Sequence, residues 1–168
     1  MVAKVFLSLG SNEGDRIKNL QQAIDLLIEG GAKLINSSSV YTTASWGNDQ
    51  LSDFYNMVIH IQIQLEPLKL LQKIEEIERK MGRSKARVFR KTEREYQDRL
   101  IDIDILYYND LVLDSETLQI PHPRMHLRNF VLVPLLEIAP DLVHPVIRED
   151  SHSLIKNCAD VNKVEIQS

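Results

Sequence analysis

The sequence predicts an α/β (α+β) fold of order β-α-β-β-α-β with an extension behind it, and three observations carry that expectation. Met57, Ile59, Ile61, Ile63 and Leu65 alternate with His60, Gln62 and Gln64, the period of an antiparallel strand with one wetter face. Two other stretches repeat apolar residues at helical spacing: Ile17, Leu20, Ile24, Leu27 and Ile28, then Leu70, Leu71, Ile74, Ile77 and Met81. Finally, Ile101, Ile103 and Ile105 alternate with Asp102 and Asp104, giving a strand with one apolar and one acidic face.

The elements follow in order. Val5, Leu7 and Leu9 form a short strand buried on both faces, and Gly10-Ser11-Asn12 turns the chain. The first helix stops at Gly30-Gly31, and a second strand is expected from Lys33 to Tyr41. A polar loop, 42–53, leads into the alternating strand. Pro67 suits the first turn of the second helix, which Gly82 ends. The Asp-x-Asp strand closes on the turn signal Tyr107-Tyr108-Asn109-Asp110. This order reads as a ferredoxin-like sandwich with its helices on one face. The C-terminal helical/strand extension holds a loop at 121–128, a short helix near Val131–Ala139 and a weakly patterned tail.

Composition sets the bounds. The 168 residues, 43% hydrophobic and 26% charged, suit a single soluble domain spanning 1–168. No apolar run approaches the ~20 residues needed to span a bilayer, and the N-terminus offers no signal peptide, so a cytoplasmic protein with no membrane partner is expected. The single cysteine, Cys158, excludes an internal disulfide and a cysteine zinc site. The net charge of −4 hides an asymmetry. Residues 79–99 carry nine basic against three acidic side chains, a net +6, leaving −10 on the rest. An acidic protein with one basic segment is a poor general nucleic-acid binder but a plausible holder of a small polyanion.

That segment runs straight into the paired aspartates. Two carboxylates approaching to 4 Å repel by about 4 kcal/mol at an effective dielectric near 20. A magnesium ion bound by both, with substrate phosphates completing its shell, removes that cost; an acidic solvent-facing strand is the plainer reading. Arg99, three residues before Asp102, flanks this site, and arginine forks match phosphate oxygens. The chain has neither a Gly-x-x-x-x-Gly-Lys-Ser/Thr loop nor a Gly-x-Gly-x-x-Gly turn, so phosphates must be held by arginine and metal. Glu75 and Glu78 sit close together on the second helix, where they can accept hydrogen bonds from a nucleotide, orient arginines, or simply solvate a helix face. His122, between Pro121 and Pro123, is presented from a stiff loop, to a phosphate or to a neighbouring strand. Trp46, Phe54 and Phe130 lie beside loops, where they either pack in the core or sandwich a flat heterocycle whose edge Asn56 can read.

Taken together, Leu9-Gly10-Ser11-Asn12, Arg99-x-x-Asp102-Ile103-Asp104-Ile105-Leu106, Pro121-His122-Pro123-Arg124-Met125-His126 and Pro134-Leu135-Leu136-Glu137-Ile138-Ala139-Pro140 resemble the 6-hydroxymethyl-7,8-dihydropterin pyrophosphokinase family of folate biosynthesis. The resemblance implies transfer of pyrophosphate from ATP to the pterin hydroxymethyl group, with release of AMP. It implies Asp102 and Asp104 as ligands of two magnesium ions, and Arg83 and Arg99 as catalytic phosphate contacts. It places Glu75, Glu78, Ile105, His122 and Arg128 at the ATP site, and Phe54 and Phe130 about the pterin, with Thr43, Trp46 and Asn56 at its edges. The expected partners are these small molecules alone, bound by a monomer. Two departures stand out: Tyr96-Gln97-Asp98-Arg99 where the family has a Trp-Gly-Pro-Arg type segment, and no proline after Thr43. Two rival readings are a ferredoxin-like nucleic-acid module, which would show steep salt dependence without ATP turnover, and an Asp-x-Asp nucleotide-sugar transferase, which would need a larger nucleotide domain.

Overall fold

The computed structural model describes residues 1–44, 52–82 and 100–167. Strand β1 (Ala3–Ser11) lies between β4 (Phe54–Ile63) and β5 (Asp102–Tyr108), antiparallel to both. Beyond β4 come β2 (Lys33–Ser37) and β3 (Tyr41–Thr43), and β8 (Val164–Ile166) pairs with β3, so the sheet runs β5-β1-β4-β3-β8 with β2 also on β4. A small second sheet pairs β6 (Leu113–Asp114) with β7 (Gln119–Ile120).

Helices cover both faces of the main sheet. Helix α1 (Arg16–Glu29) is capped by Asp15, whose side chain accepts from the Lys18 N–H at 3.1 Å. Helix α2 (Pro67–Lys80) begins with proline at its first position, as expected. It ends at Gly82 with φ of 109°, a conformation that L side chains rarely adopt, so the turn requires glycine. Leu20, Ala23, Ile24 and Leu27 of α1 and Leu70, Leu71, Ile74 and Ile77 of α2 pack on Val5, Leu7, Leu9, Ile59, Ile61, Ile103 and Ile105. The opposite face carries Phe6, Val58, Leu106 and Tyr107, covered by α3 (Asn129–Ile138) and α4 (Ser151–Asn157). The expectation of helices on one face therefore holds only for α1 and α2. Val58 is fully buried and His60 stacks on Phe6 at 4.7 Å, so the second face of β4 is drier than its alternation suggests.

The expected strand Lys33–Tyr41 is broken in two, and the hydrogen bonds show why. Ser38 Oγ replaces a backbone acceptor for the Val58 N–H at 3.0 Å. The next N–H, of Ser39, leaves the sheet and donates to Glu137 of α3 at 2.9 Å. Glu137 also accepts from Ser39 Oγ at 2.9 Å and from Tyr41 Oη at 2.6 Å. Burial and this bond push the Tyr41 phenol up to about 12. Among the described residues no helix is long and apolar enough to cross a membrane.

Candidate active site

Residues directly opposed in neighbouring antiparallel strands point to the same face of the sheet, so the register locates the site. Gly10 is opposite Asn56 on one side and Asp102 on the other, while Asn56 is opposite Tyr41. One row across the face therefore reads Asp102, Gly10, Asn56, Tyr41. The adjoining row places Asp104 beside Ser8 and Val58, and Thr43 pairs with Phe54 at the other side of Asn56. Strand spacing puts Asp102 and Asn56 about 10 Å apart at the backbone. Between them Gly10 contributes no side chain. A Cβ there would stand 2.8 Å from Asn56 Oδ1 and 3.8 Å from Phe54 Cδ1, so this glycine makes the floor between the carboxylates and the amide.

Each wall is held by its own polar contacts. Asn56 is buried, and its Nδ2 donates to Thr43 Oγ1 at 2.8 Å, which fixes the amide with Oδ1 toward Gly10. On the other side the loop after β7 brings His122 over β5: its N–H donates to the Leu106 carbonyl at 3.0 Å. The Arg124 N–H donates to His122 Nδ1 at 3.1 Å, so the imidazole carries its proton on Nε2 when neutral, and Nε2 lies 3.9 Å from Asp104 Oδ2. The two side chains are only 15% and 16% exposed. Asp102 is likewise half-buried.

The remaining site candidates fall into place around this face. Glu78 is buried and accepts the Ile103 N–H at 2.9 Å, bracing the strand that carries both aspartates from its outer edge. Glu75 is half-buried on the same helix. Ile105 belongs to the core on the far face, so its side chain points away from the aspartates and only its backbone is left for a ligand. Arg128 sits over Phe130 at the start of α3, 5.5 Å from guanidinium to ring centroid. Trp46, Arg83 and Arg99 lie outside the described residues. Among the described residues no group of three or more histidine, cysteine or acidic side chains could hold a metal by itself. Two half-buried carboxylates on one face do fit magnesium, which prefers oxygen and takes much of its shell from water and phosphates.

The comparisons with known proteins decide between the readings. The family model described as 7,8-dihydro-6-hydroxymethylpterin-pyrophosphokinase (HPPK) matches residues 6–140. The chain belongs to this family. The HPPK relative from Aquifex aeolicus, named 2-amino-4-hydroxy-6-hydroxymethyldihydropteridine pyrophosphokinase, is 39% identical over 148 residues, 88% of each chain. The protein of the same name from Haemophilus influenzae is 35% identical over 165 residues, 96% of each. The Folic acid synthesis protein fol1 of Pneumocystis carinii is 41% identical over 142 residues, 84% of this chain but 18% of that one. Among solved structures, wild-type Plasmodium falciparum HPPK-DHPS superposes with a TM-score of 0.71 at 18% identity, covering 93% of this chain and 44% of that one, a likeness of fold. Neither the nucleic-acid nor the sugar-transferase alternative gains support from any of these.

Reading the sequence missed two features of the HPPK site. Gly10 and Ser11 continue β1 rather than turning the chain, so the floor lies within a strand. Three small or polar residues directly after an apolar strand were the available signal. The capture of Ser39 and of Tyr41, a member of the row across the face, by Glu137 left no local signal at all.

Proposed function

We propose that this chain transfers pyrophosphate from ATP to the hydroxymethyl group of 6-hydroxymethyl-7,8-dihydropterin and releases AMP, as a step of folate biosynthesis. The observation that carries the reading is the row Asp102–Gly10–Asn56, which sets a carboxylate and a fixed amide on either side of a bare floor. The pterin lies over Gly10 between Phe54 and Phe130, and Asn56 Oδ1 accepts from its edge, with Thr43 and Trp46 alongside. The phosphates lie toward β5, met by Arg83, Arg99, His122 and Arg128, with Glu75, Glu78 and the Ile105 backbone toward the nucleoside.

Asp102 and Asp104 would hold the two magnesium ions of this reading, and the metal would supply charge neutralisation on the phosphate oxygens and lower the pKa of an attacking hydroxyl. The chain's own work is positioning: it aligns the hydroxymethyl oxygen in line with the β-phosphorus and the oxygen that leaves with AMP. The carboxylates beside the attacking oxygen are the nearest proton acceptors. Supporting the ferredoxin-like reading, β5, β1, β4 and the broken β2/β3 strand lie in that order, with α1 and α2 on one face. The reading takes the protein as a cytoplasmic monomer acting on these small molecules alone.

The test is to mix the protein with ATP, magnesium and hydroxymethyldihydropterin and to resolve the nucleotides. AMP is expected; ADP, or no turnover, overturns the reading. Asp102→Ala and Asp104→Ala should each lower kcat by about a thousandfold or more, the scale of losing a preorganised electrostatic group, with an unchanged circular dichroism spectrum. Turnover near wild type in either variant would remove the metal assignment.

A further inference from the structure

The family match ends at Pro140, yet beyond α4 the chain bonds twice to elements that flank the site. The first return is β8. It pairs with β3 in the register Tyr41 to Ile166, Thr42 to Glu165 and Thr43 to Val164. Thr42 Oγ1 donates to Gln167 Oε1 at 2.7 Å, and the Gln167 N–H donates to the Val40 carbonyl at 2.8 Å. A three-residue strand that would otherwise be a frayed edge is thus bonded on both sides. The second return is Asp160. Arg128, at the cap position of α3, gives no side-chain cap. Asp160 supplies one from 31 residues later: its Oδ2 accepts the Asn129 N–H at 2.9 Å, and its carbonyl accepts from the Asn129 side-chain amide. Its other carboxylate oxygen is held by the Asn162 N–H at 3.0 Å. A negative charge at this point also complements the helix dipole.

We propose that residues 160–167 are a positioning brace for the pterin pocket, fixing the distance between β3, which carries Thr43 and through it Asn56, and the first turn of α3, which carries Phe130. Only three residues separate Asp160 from the start of β8, so the two anchorages are joined by a short span. The brace is polar rather than a piece of the core. Val161 is 95% exposed and Ile166 63% exposed, so the segment buries little and its bonds converge on the two pocket walls. Neither Asp160 nor Gln167 touches the substrate; both act through the groups they hold. The inference rests on the pterin-pocket reading above.

The test uses three full-length variants. Asp160→Ala removes the cap, Asp160→Asn keeps an acceptor for the Asn129 N–H, and Gln167→Pro removes both bonds from residue 167 to the β3 segment. With Asp160→Ala, KM for the pterin should rise about five- to tenfold, the worth of one helix cap, and with Gln167→Pro by a similar factor from the lost hydrogen bonds, while KM for ATP stays within about twofold. Asp160→Asn should recover most of the loss. Calorimetric titration of the pterin in the presence of a non-hydrolysable ATP analogue reads the brace apart from turnover. If the wild type binds the pterin but releases no AMP, the proposed function fails and the brace does not. If the variants keep the wild-type pterin Kd and lose only thermal stability, or if both KM values rise together, the brace is overturned.

Discussion

Gly10 stands where any other residue would collide with Asn56, and that contact is the tightest constraint on the site. Gly10→Ala must push the amide aside, breaking the 2.8 Å bond from Asn56 Nδ2 to Thr43 Oγ1 or tilting it. Leaving one buried donor unpaired costs about 1–3 kcal/mol. KM for the pterin should therefore rise about tenfold or more in Gly10→Ala, with KM for ATP little changed; steady-state kinetics against each substrate distinguishes the two, and a pterin KM at the wild-type value would show that the floor tolerates a methyl group. At this scale legibility divides by distance along the chain. The shared face of Asp102 and Asp104 could be read locally, because a period of two fixes it. The role of Gly10 could not, because it depends on which residue of β4 comes to lie opposite.

Glu137 shows the same division among elements. The helix carrying it was expected near 131–139 and is found at Asn129–Ile138. Its last turn captures Ser39 and Tyr41 and so ends β2 before β3 can continue it. Propensity over Lys33–Tyr41 favours one strand; a carboxylate almost a hundred residues away divides it. Glu137→Ala should lower stability by about 1 kcal/mol, since three bonds to an exposed carboxylate are partly replaced by water. Urea denaturation measures this, and an unchanged midpoint would mean the break in the strand is set by Ser38 alone. The Glu137 carboxyl is held below its ordinary range: burial alone would raise its pKa, but the hydrogen bonds from Tyr41 and Ser39 outweigh that. Its contribution is present above pH 4.5 and is lost as the pH falls through the folded value.

At the scale of the molecule, the second helical layer encloses a histidine-rich region. His144 is buried beside His126 and against the edge of Tyr107. Its Nδ1 accepts the N–H groups of Val146 and Ile147 at 3.2 and 3.1 Å, so a second proton on that nitrogen would break both bonds. Burial, then the neighbouring His126, holds its pKa below 6.5; burial, then Lys4, does the same for His60. Below pH 6.5 the unfolded chain consequently takes up protons that the folded chain refuses, and stability falls as pH drops. The urea midpoint should be lower at pH 5.5 than at pH 7.5, a window above the carboxylate range, and equal midpoints would contradict this. Helices α1 and α2 and strand β4 were legible because each is long and periodic. The α4 and β8 segments, seven and three residues long, are too short for periodicity to reveal and exist through tertiary contacts.

The bond from Asn56 to Thr43 leaves the amide oxygen facing the floor over Gly10. On the proposed function, a flat ring seated there would be selected by its tautomer: an N–H turned toward that oxygen would be welcomed, whereas a lone pair in the same place would be repelled. Two heterocycles of identical outline would then be told apart by the placement of one hydrogen, a discrimination built in before either arrives.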